Sequence, residues 1–147
     1  MHYLTVQDML WLNLQVTQSV QRYRYADLEE ATFYQYQYGQ STDVPNQAAR
    51  FLGGFLAKAP FAEGNEATAV VAFHGFLALN GHASSVRDVE TLVRSGHAHA
   101  EPGDLGIHAV TAEHGDDHAH DVASHRPTRA VLTHILDELL PNRANRV

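Results

Sequence analysis

One stretch of the chain, Ala-Pro-Phe-Ala-Glu-Gly-Asn-Glu-Ala at 59–67, has residue types and an order that suit anion binding. It lies between two apolar helical patterns and leads directly into the start of the second helix. Unpaired N–H groups and the positive end of the helix dipole meet at such a place and together attract phosphate. No lysine or arginine follows Lys58 in the stretch, however, and Glu66 adds a negative charge. The stretch therefore has the form of a phosphate-binding loop that lacks its cations.

The histidines form a second group of residues that could do chemistry. Seven of the eleven lie between His97 and His125, together with several aspartates and glutamates. Imidazole is a good ligand for Zn, Ni, Cu or Co, and carboxylates add oxygen donors. The spacing favours metal chelation, by Zn or Ni above all, in one set of candidate ligands: His97, His99, His114, His118 and His120.

Three interpretations of this histidine-rich segment stay open. Residues 96–126 are rich in glycine and show no periodicity, which favours a long mobile loop or insertion. Such a loop would bind metal only opportunistically. A defined metal site would instead require fixed ligands, as when His114 and His118 share one helical face. Alternatively, imidazoles with a pKa of about 6.5 would make the segment a surface that gains charge below neutral pH.

The elements that position these residues are all predicted to be helices. Thr5 and Asp8 form the pattern of a capping box, Asp27 is suited to cap the second helix, and Ser84 or Ser85 the fifth. Apolar residues recur at three- and four-residue spacing behind these caps. Pro141 is expected to stop the last helix. The predicted helices cover about 6–21, 28–37, 45–58, 65–79, 86–94 and 128–140.

The fourth of these helices, at about 65–79, is apolar almost all round and is predicted to be the buried centre of the domain. The third contains Gly53 and Gly54, each of which costs about 1 kcal/mol in a helix compared with alanine. That cost predicts either a bend or the close approach of another backbone. No stretch alternates as a strand would. The predicted fold class is therefore all-α, as a single domain over 1–147.

The loop and its following helix resemble a known family. Pro60-Phe61-x-Glu63-Gly64-Asn65, followed by an apolar helix that ends in Leu-Asn-Gly at 79–81, is similar to the signature of the Fic/Doc (Fido) superfamily. The segments at 3–8 and 28–31 also resemble Doc-type (death-on-curing) chains. The resemblance covers about residues 3–95. It implies a Fido helical bundle around the helix at 65–79, with the histidine-rich segment as an insertion.

The resemblance implies a role for each motif position. The family's histidine takes a proton from a target hydroxyl that attacks a nucleotide phosphate, and Ala59 stands at that position without a base. Glu63 matches the acidic residue that holds Mg²⁺ on the phosphates. Phe61 matches the apolar anchor of the loop. Gly64 and Asn65 match the turn and amide of the anion nest.

Two further positions depart from the family pattern. Glu66 and Ala67 replace residues that would be lysine or glycine, and arginine, so that the phosphates lose their cations. His74 lies about two and a half turns beyond Asn65, too far to replace the missing base, and is expected to be a satisfied core histidine. His82, just past the same helix, is expected at the surface.

From these departures we expect a protein that lacks nucleotide-dependent transfer of AMP or phosphate and acts as a binding or regulatory protein. Family members often act as toxins held by an antitoxin, which makes an antitoxin-like protein partner an analogy to test. The alternative is an active metal-dependent enzyme whose reorganised site uses the histidine-rich segment at 97–125.

Composition excludes several other functional classes. The 147-residue chain carries a net charge of -7, which disfavours binding to nucleic acids and to anionic membranes. It contains no cysteine, so disulfides, thiolate metal sites and cysteine nucleophiles are absent. No apolar run reaches the about 18 residues of a membrane span, and no signal-peptide pattern opens the chain. The expected location is cytoplasmic.

Overall fold

A computed structural model describes residues 1–39, 41–110 and 127–143. In these ranges the chain forms six α-helices, one short 3₁₀ helix and one antiparallel pair of strands. In chain order they are α1 (Val6–Thr17), α2 (Tyr25–Phe33), α3 (Val44–Lys58), α4 (Asn65–Leu79), β1 (His82–Ser84), α5 (Val89–His97), the 3₁₀ helix (Pro102–Leu105), β2 (Ile107–Ala109) and α6 (Pro127–Leu139). The mainly helical class predicted from the sequence is confirmed. No helix in the described residues is long and apolar enough to cross a membrane.

Helix α4 lies at the centre, as its uniform apolar composition predicts. Every residue from Thr68 to Leu77 is buried, and α4 packs against α1, α3, α5, α6 and β1. Phe73 and Phe76 on α4 are fully enclosed, as are Phe51 and Phe55 on α3. Because the start of α4 is held from several sides, the loop that precedes it has a fixed base.

Helix α1 begins as predicted but ends four residues early. Thr5 Oγ1 accepts from the Asp8 N–H at 3.0 Å, and Asp8 Oδ2 accepts from the Thr5 N–H at 2.8 Å, which completes the capping box. At the other end Gln18 takes a left-handed conformation with φ 64°. The continuation of α1 to Gln21 is therefore wrong. Val20, which the helical spacing assigns to the core, is 87% exposed.

Two of the predicted helix caps were also wrong. Helix α2 begins at Tyr25, and Asp27 lies in its first turn, where it pairs with Arg24 at 2.6 Å. Helix α5 is capped by Asp88, whose carboxylate accepts from the Thr91 N–H. The serine that was expected to cap it, Ser84, belongs to β1 instead.

The prediction that the chain contains no strand is wrong. Strands β1 and β2 pair in antiparallel register, with His82 opposite Ala109 and Ser84 opposite Ile107. Three-residue strands are too short to show alternation in a sequence. Residues 96–110, predicted to be part of a mobile loop, therefore form the end of α5, the 3₁₀ helix and β2. Residues 111–126 lie outside the described part of the chain.

The glycine pair in α3 marks close packing, as predicted. A Cβ at Gly53 would lie 3.1 Å from the backbone oxygen of Gly96 on α5. A Cβ at Gly54 would lie 2.3 Å from the ring of Tyr34. The first contact is the close backbone approach that the sequence suggests, since only a residue without a side chain lets two helices meet at their backbones.

Candidate functional site

The loop of residues 59–64 links α3 to α4 and begins at a strained residue. Ala59 ends α3 in a left-handed conformation, with φ 42° and ψ 60°, and its N–H donates to the Phe55 carbonyl at 2.9 Å. Such a conformation is unfavourable for any residue with a Cβ. Arg24 compensates from outside the helix: its Nη2 donates to the carbonyls of Lys58 at 2.7 Å and Ala59 at 3.0 Å. The position of the missing base is thus tightly held.

The segment that precedes α2 also holds the loop through its backbone. The Arg24 N–H donates to the Pro60 carbonyl at 3.0 Å, and the Ala62 N–H donates to the Arg22 carbonyl at 2.9 Å. These two bonds flank an antiparallel bridge between Tyr23 and Phe61. The Phe61 side chain is buried, as expected of an apolar anchor. The loop is therefore fixed along one whole side.

Asn65 is committed to the loop itself. Its side-chain oxygen accepts from the Phe61 N–H at 2.9 Å, and its side-chain nitrogen donates to the Phe61 carbonyl at 2.8 Å. The N-cap of α4 is Gly64, with no side-chain cap bond. Because both polar atoms of the amide bond to the Phe61 backbone, the Asn65 side chain shapes the turn.

Gly64 sits where only glycine fits. It is left-handed, with φ 81°, and a Cβ there would lie 2.5 Å from Cγ2 of Thr17 and 3.0 Å from Nδ2 of Asn13. Asn13 is buried on α1 and donates from that same nitrogen to the Glu63 carbonyl at 2.9 Å and to Thr68 Oγ1 at 3.3 Å. Sequence reasoning missed Asn13 and Thr17. The available signal was a polar residue at 13 between the apolar positions of α1.

A cleft of about 640 Å³ opens beside the loop. Gly64 and the first turn of α4 form its floor, and the ends of α1, α3, α5 and α6 form its walls. The titratable residues in the described lining are Glu63, Glu66 and His97. Neither lysine nor arginine belongs to that lining. The helix N-terminus therefore faces a cleft whose fixed charges are negative.

Lys58, the cation nearest the loop in sequence, is directed elsewhere. Its ammonium lies 3.0 Å from Glu30 and 3.8 Å from Asp27, both on α2. The hydrogen bond with Glu30 raises the pKa of Lys58 and lowers the pKa of Glu30. This pairing holds α2 against α3, and it directs Lys58 away from the cleft, whose described lining contains no basic side chain.

The structure brings together only part of the expected metal ligands. His97 lines the same cleft as Glu63, the residue expected to hold Mg²⁺. His99 lies over Gly53 of α3 and does not line the cleft. No three metal-binding side chains in the described ranges lie close enough to hold an ion. The remaining candidate ligands fall outside those ranges: His114, His118 and His120.

His74 is a core histidine, as predicted, but it is not satisfied. It is only 4% exposed, and among the described residues its Nε2 has no hydrogen-bond partner. Burial, reinforced by the charge of Arg87, lowers the pKa of His74 from 6.5 to about 4. His82, expected at the surface, is partly exposed in β1, and its Nδ1 lies 2.8 Å from the Asn80 carbonyl oxygen.

Comparisons of the chain with protein-family models, with curated proteins and with solved structures found no match. The likeness to the Fic/Doc family therefore rests on the motif residues at 60–65 and the helix that follows them. What the described geometry establishes by itself is a rigid loop, a helix N-terminus and an acidic cleft.

Proposed function

We propose that this protein is a Doc-like member of the Fic/Doc family that has lost nucleotide-dependent transfer and acts as a binding or regulatory protein. The observation that carries the proposal is the charge of the cleft. Glu63 and Glu66 line it with no lysine or arginine in the described lining. The loop is nevertheless held in place by hydrogen bonds from Asn13, Arg24 and Asn65. A loop held by these hydrogen bonds beside two carboxylates favours a ligand other than a nucleotide.

The two carboxylates also disfavour a nucleotide electrostatically. A phosphate charge about 4 Å from a carboxylate is repelled by roughly 4 kcal/mol at an effective dielectric of about 20, and solvent screening reduces this figure because Glu63 and Glu66 are both exposed. The helix dipole offsets only about 0.3–1 kcal/mol of this. Mg²⁺ on Glu63 would still leave Glu66 uncompensated. Ala59 in addition has only a methyl group where proton abstraction would require a base.

The experiment compares the protein with a variant in which the three family residues are restored, Ala59→His/Glu66→Lys/Ala67→Arg. Isothermal titration with ATP and Mg²⁺ is expected to show no binding to the unmodified protein and binding at least tenfold tighter to the variant. Incubation with labelled ATP and candidate proteins is expected to leave all of them unlabelled. Elemental analysis of the same untagged preparation measures any bound metal.

Transfer of label by the unmodified protein would overturn this proposal if a Glu63→Gln substitution abolished it. The control is Glu90→Lys/Ser95→Arg, which adds the same positive charge on α5 without touching the loop. That control should leave the affinity for ATP unchanged. Tighter binding in the control would mean that net charge, rather than the cleft, decides nucleotide affinity.

A groove next to the loop provides a surface for a protein partner. It has a volume of about 310 Å³ and lies between α1 and residues 19–23. Leu14, Val20 and Tyr23 contribute to it, with exposed fractions of 39%, 87% and 43%. None of its lining residues is charged. Exposed apolar side chains gathered in one concave place are typical of a protein-binding surface.

The positive charge beside the Tyr23 end of this groove favours a ligand with acidic residues. Tyr23 also lines a neighbouring pocket of about 350 Å³ that contains Arg22 and Arg24. Within the described ranges, no carboxylate lies at ion-pair distance from Arg22, whereas Arg24 pairs with Asp27. The complementary ligand is a peptide segment in which apolar residues are followed by acidic ones.

Selection from a displayed peptide library tests this surface. We expect enriched peptides to combine apolar and acidic residues, and to bind at least tenfold more weakly to Val20→Glu and Arg22→Glu variants. Tyr38→Glu is the matched control, because Tyr38 is 92% exposed and lines a different pocket. Failure to enrich such peptides, or equal binding to all three variants, would contradict the assignment.

A further inference from the structure

A chain of polar contacts joins the central helix to α6. His74 Nδ1 on α4 lies 3.3 Å from Nη1 of Arg87, and Nη2 of Arg87 lies 3.3 Å from Oε1 of Glu138 on α6. The second oxygen of Glu138 lies 3.5 Å from Nε2 of His134, one turn earlier on α6. This cluster lies outside the loop and is not used by the function proposed above.

The cluster lies close to the part of α6 that leads into the cleft. Leu140, two residues beyond Glu138, lines the cleft. Further back on α6, Leu132 packs directly against the backbone of α4 at Gly75, next to His74. Movement of the end of α6 away from α4 would therefore separate Glu138 from Arg87 and displace Leu140 from the cleft.

We propose that His74, Arg87 and Glu138 form an acid-sensitive latch that holds the C-terminal half of α6 against α4. In the closed state the buried imidazole is neutral, because a proton on it would stand beside the Arg87 guanidinium without water. In the open state the imidazole is solvated and takes up a proton readily. Acid therefore favours opening. The significance of that opening for ligand binding rests on the function proposed above, but the latch itself does not.

The size of the effect follows from proton linkage. The pKa of His74 is about 4 when buried and 6.5 when free. His74 binds a proton far more readily in the open state, so opening becomes more favourable as the pH falls below 6.5. This gain levels off below about pH 4, where the buried imidazole also takes up a proton. Between pH 7.5 and pH 5 the open population is expected to rise about 30-fold.

The other charged groups near this cluster are already in ion pairs. They do not oppose the expected effect of acid, which is to favour opening. Arg87 is the charge that acts on His74. On α6, Glu138 lies between Arg87 and His134, at 3.3 Å and 3.5 Å. On α1, Asp8 is engaged by Arg129 at 3.1 Å, at the far end of α6. That second contact is expected to keep the N-terminal part of α6 in place.

Hydrogen exchange measured by mass spectrometry tests the latch on the full chain without any ligand. Protection factors, from which the intrinsic pH dependence of exchange is removed, are compared at pH 7.5 and pH 5. Amides of residues 132–140 are expected to lose protection about 30-fold, while those of α3 hold theirs. In a His74→Leu variant, which is similar in volume and cannot titrate, the loss should fall to less than threefold.

Arg87→Gln provides a second test, since it breaks the link without changing the core. It should lower the protection of 132–140 already at pH 7.5 and leave α3 unchanged. His134→Gln is the control and should retain most of the pH dependence, because its imidazole is exposed. Equal protection at both pH values in the unmodified protein, or an unchanged pH dependence after His74→Leu, would overturn the latch. Neither result would bear on nucleotide or peptide binding.

Discussion

Replacing Gly64 with alanine is expected to lower the free energy of unfolding by about 3 kcal/mol. A left-handed conformation costs an alanine about 1–2 kcal/mol. The added Cβ would also lie 2.5 Å from Cγ2 of Thr17, and such overpacking costs about 1–3 kcal/mol. Thr17 cannot rotate freely, because its hydroxyl donates to the carbonyls of Asn13 and Ser19. The lower entropy of the unfolded chain returns only about 0.4–1 kcal/mol.

Urea denaturation of both proteins measures this difference. Ala59→Gly is the matched control in the same loop, since there a residue with a Cβ already occupies a left-handed conformation. That substitution should leave stability unchanged or raise it by up to about 1 kcal/mol. A loss of less than 1 kcal/mol for Gly64→Ala would mean that α1 does not pack against the loop as described.

Replacing Asn65 with alanine is expected to cost about 2–3 kcal/mol and to loosen the loop. Two hydrogen bonds to the Phe61 backbone would be lost, each with a net contribution of about 0.5–1.5 kcal/mol. The Phe61 N–H and carbonyl would then lack a partner in a partly buried setting, which adds to the loss. Limited proteolysis should cut the loop of residues 59–64 faster, and urea denaturation should give the energy.

Asn65→Asp separates the two bonds. A carboxylate still accepts from the Phe61 N–H but cannot donate to the Phe61 carbonyl, and it gains about 0.3–1 kcal/mol at the helix N-terminus. The aspartate variant should therefore lose about half as much stability as the alanine variant. Equal losses in both variants would mean that the two-bond arrangement does not hold the loop.

Local sequence rules predicted those helix boundaries that are set by residues close together in the chain. The observed bounds of α4 agree with those predicted. Gly64 and Asn80 flank one apolar run, and they mark where the helix begins and ends. The capping box of α1 was likewise readable, since Thr5 and Asp8 are three residues apart. One prediction failed because the competing partner is distant in sequence. Ser84 or Ser85 was expected to cap α5, but the Ser84 hydroxyl donates to the Leu105 carbonyl 21 residues away.

The candidate site likewise has some properties that residue types determine and others that only the fold determines. From residue types alone, the sequence determined that Ala59 supplies no base, that Ala67 carries no charge, and that Glu63 and Glu66 carry carboxylates. Those conclusions need no coordinates, because a side chain's chemistry does not depend on where it lies.

Only the tertiary structure determined which charged and titratable side chains lie close together. It brought His97 to the cleft of Glu63, turned Lys58 towards Glu30, and placed His74 beside Arg87. Each of these contacts joins residues far apart in the chain, so no spacing rule could have predicted it. The acidity of the described cleft lining is consequently a property of the fold, while the absence of a base at 59 and of cations at 66 and 67 is a property of the sequence.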